Sequence, residues 1–393
     1  MSFGHPMRPA WALDPDVLYL NHGTVGAPPR RALEAQQSIR DEIERQPSEF
    51  LLRRLSSIRV GGENDAKPRM RVAAEAVAQF LGARGDDLVF VDNITTAANA
   101  VLRSYPFAPG DEILVTNEVY GAVGKTAEFV MRRSGGAVRT TELPREARDP
   151  QAFVDAITGA LTARTRIAIV EHVAAHSAVI LPLPEIARAC RARGVAVLAD
   201  GAHAPGAIAL DIPALGVDWY AANLHKWAWS PRSLGILWAP PERQVDLHPT
   251  TISWGLDQGF AAEFDWVGTK DPSAALAAPA ALAYMEELGV EKVRAWNHAL
   301  AWEAGNLLAD RFGTRLPADE PFVGAMITVP LPAAFGATME DASRLRDRLL
   351  FDHRIELQVQ ADHGRVAIRV SAQIYNERAD VERLADVLTT LAD

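Results

Sequence analysis

The sequence predicts an α/β protein whose large domain is a mostly parallel, doubly wound sheet, followed by a smaller α+β domain. Three observations predict it. Short apolar runs alternate with helical stretches from about residue 88 to 200, at the spacing that parallel strands and right-handed crossover helices require. Two of those runs, IAIV at 167–170 and VAVLA at 195–199, carry no polar alternation, as expected of strands covered on both faces. The chain, at 393 residues, is too long for one small core, so a large unit and a smaller one with a cleft between them follow.

The elements follow in chain order. PPRRALEAQQSIRDEIERQ, 28–46, opens with prolines and continues as a charged amphipathic helix. A polar, Arg-rich stretch covers 53–69, and RMRVAAEAVAQFLG, 69–82, is a second helix ended by Gly82. The alternation then runs strand 88–91, helix near 96–104, strand 112–115, helix 121–133, strand 137–141, helix 150–161, strand 166–170, helix 183–193 and strand 195–200. DPSAALAAPAALAYMEELG, 271–289, is Ala-rich and helical, and it closes the large domain. The remainder is expected as helix 291–312, strand near 323–329, helix 339–350, strands near 355–359 and 365–370, and helix 377–391. The domains are therefore expected as an N-terminal segment 1–30 that joins the small domain to the site, a large domain 31–289 and a small domain 290–393.

Composition narrows the function. Hydrophobic residues make up 48% and charged residues 23%, so the chain is expected to fold throughout. Net charge is −10 with scattered Lys and Arg, which leaves no basic stripe for a phosphate backbone and argues against nucleic acid as a partner. The start, MSFGHPMRPAWALDP, lacks an apolar signal core, and no run of about 18 apolar residues occurs, so no membrane partner and a cytoplasmic location are expected. The single cysteine, Cys190, lies in the helical pattern PLPEIARACRARG as a small core hydrophobe and makes no intrachain disulfide.

Sheets of this kind bind ligands beyond the carboxyl ends of their strands. Polar residues gather there in four places: Asp92 to Thr96, Thr116 to Tyr120, Glu171 to Ser177 and Asp200 to His203. Asp200 directly follows a buried apolar strand, a costly place for a carboxylate unless a cation such as a protonated pyridine meets it. Lys226 follows Asn223, Leu224 and His225 and precedes Trp227 and Trp229; a desolvated lysine has a lowered pKa and can form an imine, and His225 beside it can donate to a phosphate. DNITTAANAV, 92–101, turns a strand end into a helix N-terminus, a ready phosphate site at Thr95 and Thr96. Tyr120, just past a strand, offers a flat ring, and Arg369 offers a planar fork for a carboxylate.

The segments DGAH at 200–203 and NLHKW at 223–227, with LNHGTVG at 20–26 and RVSAQIYN at 369–376, resemble the class V branch of fold-type I pyridoxal 5′-phosphate enzymes. Within that branch the chain is similar to the isopenicillin N epimerase-like and cysteine C–S lyase group. The resemblance implies pyridoxal 5′-phosphate as cofactor, with Lys226 as the imine lysine, Asp200 on the pyridine nitrogen and His203 on the ring hydroxyl. It implies that His225 and the backbone of Thr95 and Thr96 hold the phosphate, that Tyr120 stacks on the ring, and that Arg369 clamps the substrate α-carboxylate. FDWVGTKDPSA, 264–274, resembles the segment by which a neighbouring subunit lends a threonine, here Thr269, so a homodimer with a shared site is expected. Asn21 and His22 are expected to line the substrate pocket.

Two stretches depart from the pattern. EHVAAHSAVILP, 171–182, has Ala174 and Ala175 where relatives place Thr and Ser, which leaves His176 and Ser177 either to read the substrate or to cap a turn. The lysine loop reads SPRSLG, so Arg232 inherits no family contact.

Such a site removes the α-proton of an amino acid with the freed lysine as base, and the fate of the carbanion depends on the pocket. A persulfide-forming desulfurase needs a loop cysteine downstream of the lysine, which this sequence lacks. β-Elimination needs one base and a leaving group, which favours a C–S β-lyase on an S-substituted cysteine, with Lys226, Asp200, His203 and Tyr120 as the catalytic set. An isopenicillin N-type epimerase, a decarboxylating deaminase or aminotransferase, and a non-enzymatic pyridoxal-phosphate binder are the alternatives.

Overall fold

The computed structural model describes residues 2–58 and 66–392. Part of the Arg-rich stretch expected at 53–69 therefore lies outside the described residues. Strands occur, in chain order, as β1 (Leu18–Tyr19), β2 (Leu88–Val91), β3 (Glu112–Thr116), β4 (Ala137–Thr141), β5 (Thr165–Glu171), β6 (Ala196–Asp200), β7 (Trp219–Asn223), β8 (Gly235–Trp238), β9 (Met326–Pro330), β10 (Ile355–Glu356), β11 (Gln358–Asp362) and β12 (Arg365–Ser371).

The large sheet has the order β2-β8-β7-β6-β5-β3-β4. From β4 through β7 all pairings are parallel, and β8 runs antiparallel to both β7 and β2. β2, β3, β5, β6 and β7 consequently deliver their carboxyl ends to one edge, where Asn93, Tyr120, Glu171, Asp200 and Lys226 follow. Buried apolar residues cover both faces: Ala168, Val170, Val197 and Ala199 face one core, and Ile167, Ile169, Ala196 and Leu198 the other. β7 and β8, whose pairing places the lysine, were not among the strands expected from the sequence.

Local chemistry sets the helix starts. Asn93 caps the helix Ile94–Ser104 through its side chain on Thr96 N, and Asp149 with Pro150 opens the helix Pro150–Ala160. Thr338 and Asp341 form a capping box on the helix Met339–His353. Cys190 is fully buried in the helix Leu183–Arg191 and packs in the main core, as its pattern implied.

The smaller sheet, β11-β12-β9, is antiparallel and carries Arg369 on β12. The strand expected at 355–359 divides at Leu357: β10 pairs in parallel with β1, whereas β11 pairs with β12. That division ties the N-terminal segment to the C-terminal one, and an Asn21–Ser371 bridge continues the tie. Trp11, Trp229, Tyr284 and Tyr375 pack edge to face or tilted, with Trp11 Nε1 donating to Ala27 O at 2.9 Å, so the N-terminal segment is also anchored on the lysine loop. Among the described residues no helix is long and apolar enough to cross a membrane.

Candidate active site

At the carboxyl edge of the large sheet lies a cavity of 410 Å³ lined by residues from five strand ends and from the 20–26 turn. It falls in the range of about 300–1,000 Å³ usual for small-molecule sites. Thr24, Thr95, Tyr120, Asp200, His203, His225, Lys226 and Arg232 all reach it, together with Glu171, Ala175 and Asn223. Residues more than 200 positions apart in the chain thus converge as the strand-end argument required.

Lys226 follows β7 in a tight turn closed by Leu224 N to Leu234 O and Ser230 N to Leu224 O. Gly26 packs so closely on this turn that a Cβ there would stand 1.9 Å from His225 O, and its φ of +69° is a second reason for glycine. Burial, then the Arg369 charge, lower the Lys226 amine to about 7, against the pull of Asp200. Its Nζ lies 3.2 Å from His203 Nε2. This amine is nucleophilic near neutral pH, which an exposed lysine is not.

Asp200 is buried, and Oδ1 accepts from Ala202 N at 2.9 Å. Burial raises its carboxyl above the ordinary range, with that hydrogen bond and Lys226 opposing. Beside it Glu171 ends β5 in register with Asp200; its Oε2 accepts from Thr116 Oγ1 at 2.6 Å while Oε1 has no hydrogen-bond partner among the described residues. Burial, with Asp200 adding to it, pushes Glu171 up to about 8. The sequence reasoning gave this residue no role, although a carboxylate closing the apolar run IAIV was the available signal.

The phosphate end differs in detail from expectation. Ile94 N donates to Asn223 Oδ1 at 2.9 Å and Thr96 N to Asn93 Oδ1 at 3.1 Å, which leaves Thr95 N as the helix-terminal donor without a hydrogen-bond partner among the described residues. Thr96 gives its N–H to the cap and lies outside the lining of this cavity, whereas Thr95 is part of it. His225 Nδ1 lies 2.9 Å from Leu234 O, so Nδ1 carries a proton, and burial lowers the ring to about 4. The second nitrogen of His225 donates to a phosphate only after the ring takes up a proton. Arg232 lines the cavity and donates to Gly26 O at 2.7 Å, a cation the sequence reasoning left without a role.

Arg369 is buried behind the lining; it donates to Ala175 O and, at 2.9 Å, to Thr24 Oγ1, and burial lowers it to about 10. Thr24 and Ala175 both line the cavity. Asn21 and His22 lie outside the lining of the cavity. Asn21 Nδ2 donates to Glu356 Oε1 at 2.7 Å, and His22 lies between Tyr375 Oη at 2.9 Å and Lys226 O at 3.1 Å. They brace the turn and the lysine loop. His176 lies on the turn closed by Ala174 N to Val179 O, where it is exposed and its carbonyl accepts from Thr328 and Gln360, while its charge still bears on His203. Thr269 is exposed and outside the cavity of its own chain.

The donor set fits pyridoxal phosphate. Asp200, desolvated and short of hydrogen bonds, matches a protonated pyridine nitrogen; Lys226 supplies a near-neutral amine; the Thr95 N–H at a helix N-terminus suits a phosphate; and Tyr120 offers a ring at the mouth. Fold and site together define a pyridoxal-phosphate enzyme of fold type I. More particularly, the chain belongs to the class-V aminotransferase family, whose description matches residues 60–384. It is 33% identical to isopenicillin N epimerase of Streptomyces clavuligerus, over 96% of each chain. It is 31% identical to the Arabidopsis thaliana protein named "Probable L-cysteine desulfhydrase, chloroplastic", over 96% of this chain and 83% of that one. Among solved structures, a cystine C–S lyase in complex with cysteine persulfide superposes with a TM-score of 0.77 at 23% identity, over 96% of this chain and 98% of the other, a likeness of fold.

Proposed function

We propose that this chain is a pyridoxal-phosphate-dependent C–S lyase that cleaves the Cβ–S bond of an S-substituted cysteine, and that it acts in the cytoplasm as a homodimer in which Thr269 reaches the partner's phosphate site. The observation that carries this reading is Lys226, which lines the same cavity as Asp200 with its Nζ 3.2 Å from His203 Nε2. When bound, pyridoxal phosphate supplies an imine-forming aldehyde and a cationic ring that accepts the electron pair left by α-proton removal.

The chain's own residues do the rest. Asp200 would meet the positive charge at the ring nitrogen, and His203 would donate to the ring oxygen. Arg369 and Thr24 hold the substrate carboxylate, which aligns the α-C–H bond. Lys226 Nζ takes the α-proton as base and carries it within the cavity. Loss of the β-thiolate then needs no second acid, and hydrolysis of the product yields pyruvate and ammonia. The lone thiol, Cys190, is buried in a helix with its pKa raised to about 11 by burial and Asp218, which supports elimination over persulfide transfer to a protein thiol.

The streptomycete relative favours a second reading, epimerisation, which requires a proton donor on the face away from Lys226. Incubation with S-methylcysteine in deuterated water separates the two. Pyruvate, ammonia and methanethiol in equal amounts are expected; recovery of inverted, α-deuterated S-methylcysteine without pyruvate would overturn the lyase reading.

A further inference from the structure

We propose that Trp227 is a positioning residue that locks His203 in the Nε2–H tautomer and so gives the cavity a hydrogen-bond donor where the ring oxygen of the cofactor binds. The proposal rests on the cofactor reading above and deepens it.

The geometry fixes the proton. The Trp227 indole N–H, which can only donate, is 3.4 Å from His203 Nδ1. Nδ1 must therefore present its lone pair. Trp227 is 1% exposed and His203 3%, so water cannot stand in for either partner, and a proton on Nδ1 would set two buried donors against each other. The groups that face His203 are Lys226, Arg369, His176 and His225; burial and these groups all hold it well below its ordinary pKa, hence neutral. A neutral ring with Nδ1 accepting carries its proton on Nε2, the atom 3.2 Å from Lys226 Nζ at the cavity wall.

The indole has little freedom to release this grip. The Trp227 ring packs at 5.0 Å from that of His22, and a Cβ on Gly23 would come within 3.2 Å of its Cζ2. On the backbone side, a Cβ on Gly206 would come within 2.2 Å of Trp227 O. The tryptophan after the lysine thus does more than fill the core: it selects which face of a histidine is a donor.

A donor on the ring oxygen would stabilise negative charge there and so would ease loss of the proton that the loaded protein's visible band reports. Loss of the donor raises the pH at which that proton leaves. Other charges that bear on Lys226 are Arg369 and Asp200, with Glu171 beside Asp200, and all are retained in the test.

The test is a pH titration of the visible absorption band of full-length, pyridoxal-phosphate-loaded protein, in wild type, Trp227→Phe, His203→Gln and the double variant. Trp227→Phe is expected to raise the midpoint by about one pH unit, tenfold in the proton equilibrium. In the His203→Gln background the same substitution is expected to shift nothing, because an amide donates without choosing a tautomer. An unmoved midpoint in Trp227→Phe, or an equal shift in both backgrounds, overturns the proposal. Should Trp227→Phe fail to fold, the ring ¹⁵N shifts of His203 in labelled wild-type protein decide: protonated Nε2 with unprotonated Nδ1 supports it, and the reverse overturns it. A wild-type protein that develops no band with pyridoxal phosphate refutes the cofactor reading itself, which a normal band with an unmoved midpoint does not.

Discussion

Glu171 and Asp200 end adjacent parallel strands in register, so two buried carboxyl groups share one wall of the cavity. Glu171 accepts from Thr116, has no partner for Oε1 among the described residues, and is raised by burial to about 8. Burial thus favours the protonated form of Glu171, and it raises the neighbouring Asp200 as well.

That arrangement has a signed consequence for stability. The folded protein keeps a Glu171 proton that the unfolded chain releases above its ordinary pKa of about 4.5, so wild type loses stability as pH rises from there to about 8, and no further above it. Glu171→Gln removes the titration. In urea unfolding of cofactor-free protein, the variant should gain on wild type by on the order of 3 kcal/mol between pH 5 and pH 8. Parallel pH dependences would show that Glu171 is solvated.

Lys226 sets the pH of cofactor capture. Its amine is lowered to about 7, so the rate at which the visible band develops after adding pyridoxal phosphate should rise with pH through a midpoint near 7. A midpoint near the ordinary lysine value would contradict the desolvation argument. Lys226→Ala should develop no such band and show no turnover.

Arg369 lies behind the lining, where it holds Ala175 O and Thr24 Oγ1 rather than any group at the phosphate end. Arg369→Ala is expected to raise KM for amino-acid substrates by about 100-fold, the scale of a lost buried charge-assisted contact, while cofactor retention on dialysis stays near wild type. Release of the cofactor with an unchanged KM would place this arginine elsewhere in the chemistry.

The strands that end in Val91, Thr116, Glu171 and Asp200 were legible because unbroken apolar runs of strand length have few other readings once helices separate them. β7 and β8 were not: WYAAN contains two alanines, GILW is four residues long, and their strand character comes from pairing with each other and with β2 and β6. Lys226 and Asp200 stood out because a charge beside an apolar run demands a partner, whereas His203 was indicated only by the resemblance of DGAH to the family pattern. Asn21 and His22 illustrate the opposite case. A polar residue in a glycine-rich turn suits a ligand or the chain equally well, and the partners that decided it, Glu356 and Tyr375, lie more than 330 positions away. Thr96 N donates to Asn93 three residues earlier, a cap that was visible in the sequence.

The account stands on pyridoxal phosphate joined to Lys226. Borohydride reduction of the loaded protein, followed by proteolysis and mass spectrometry of the peptides, tests it directly. The account predicts one pyridoxyl group per chain, on the peptide that contains Asn223, Leu224, His225 and Lys226. A pyridoxyl group on any other lysine, or on none, would contradict it.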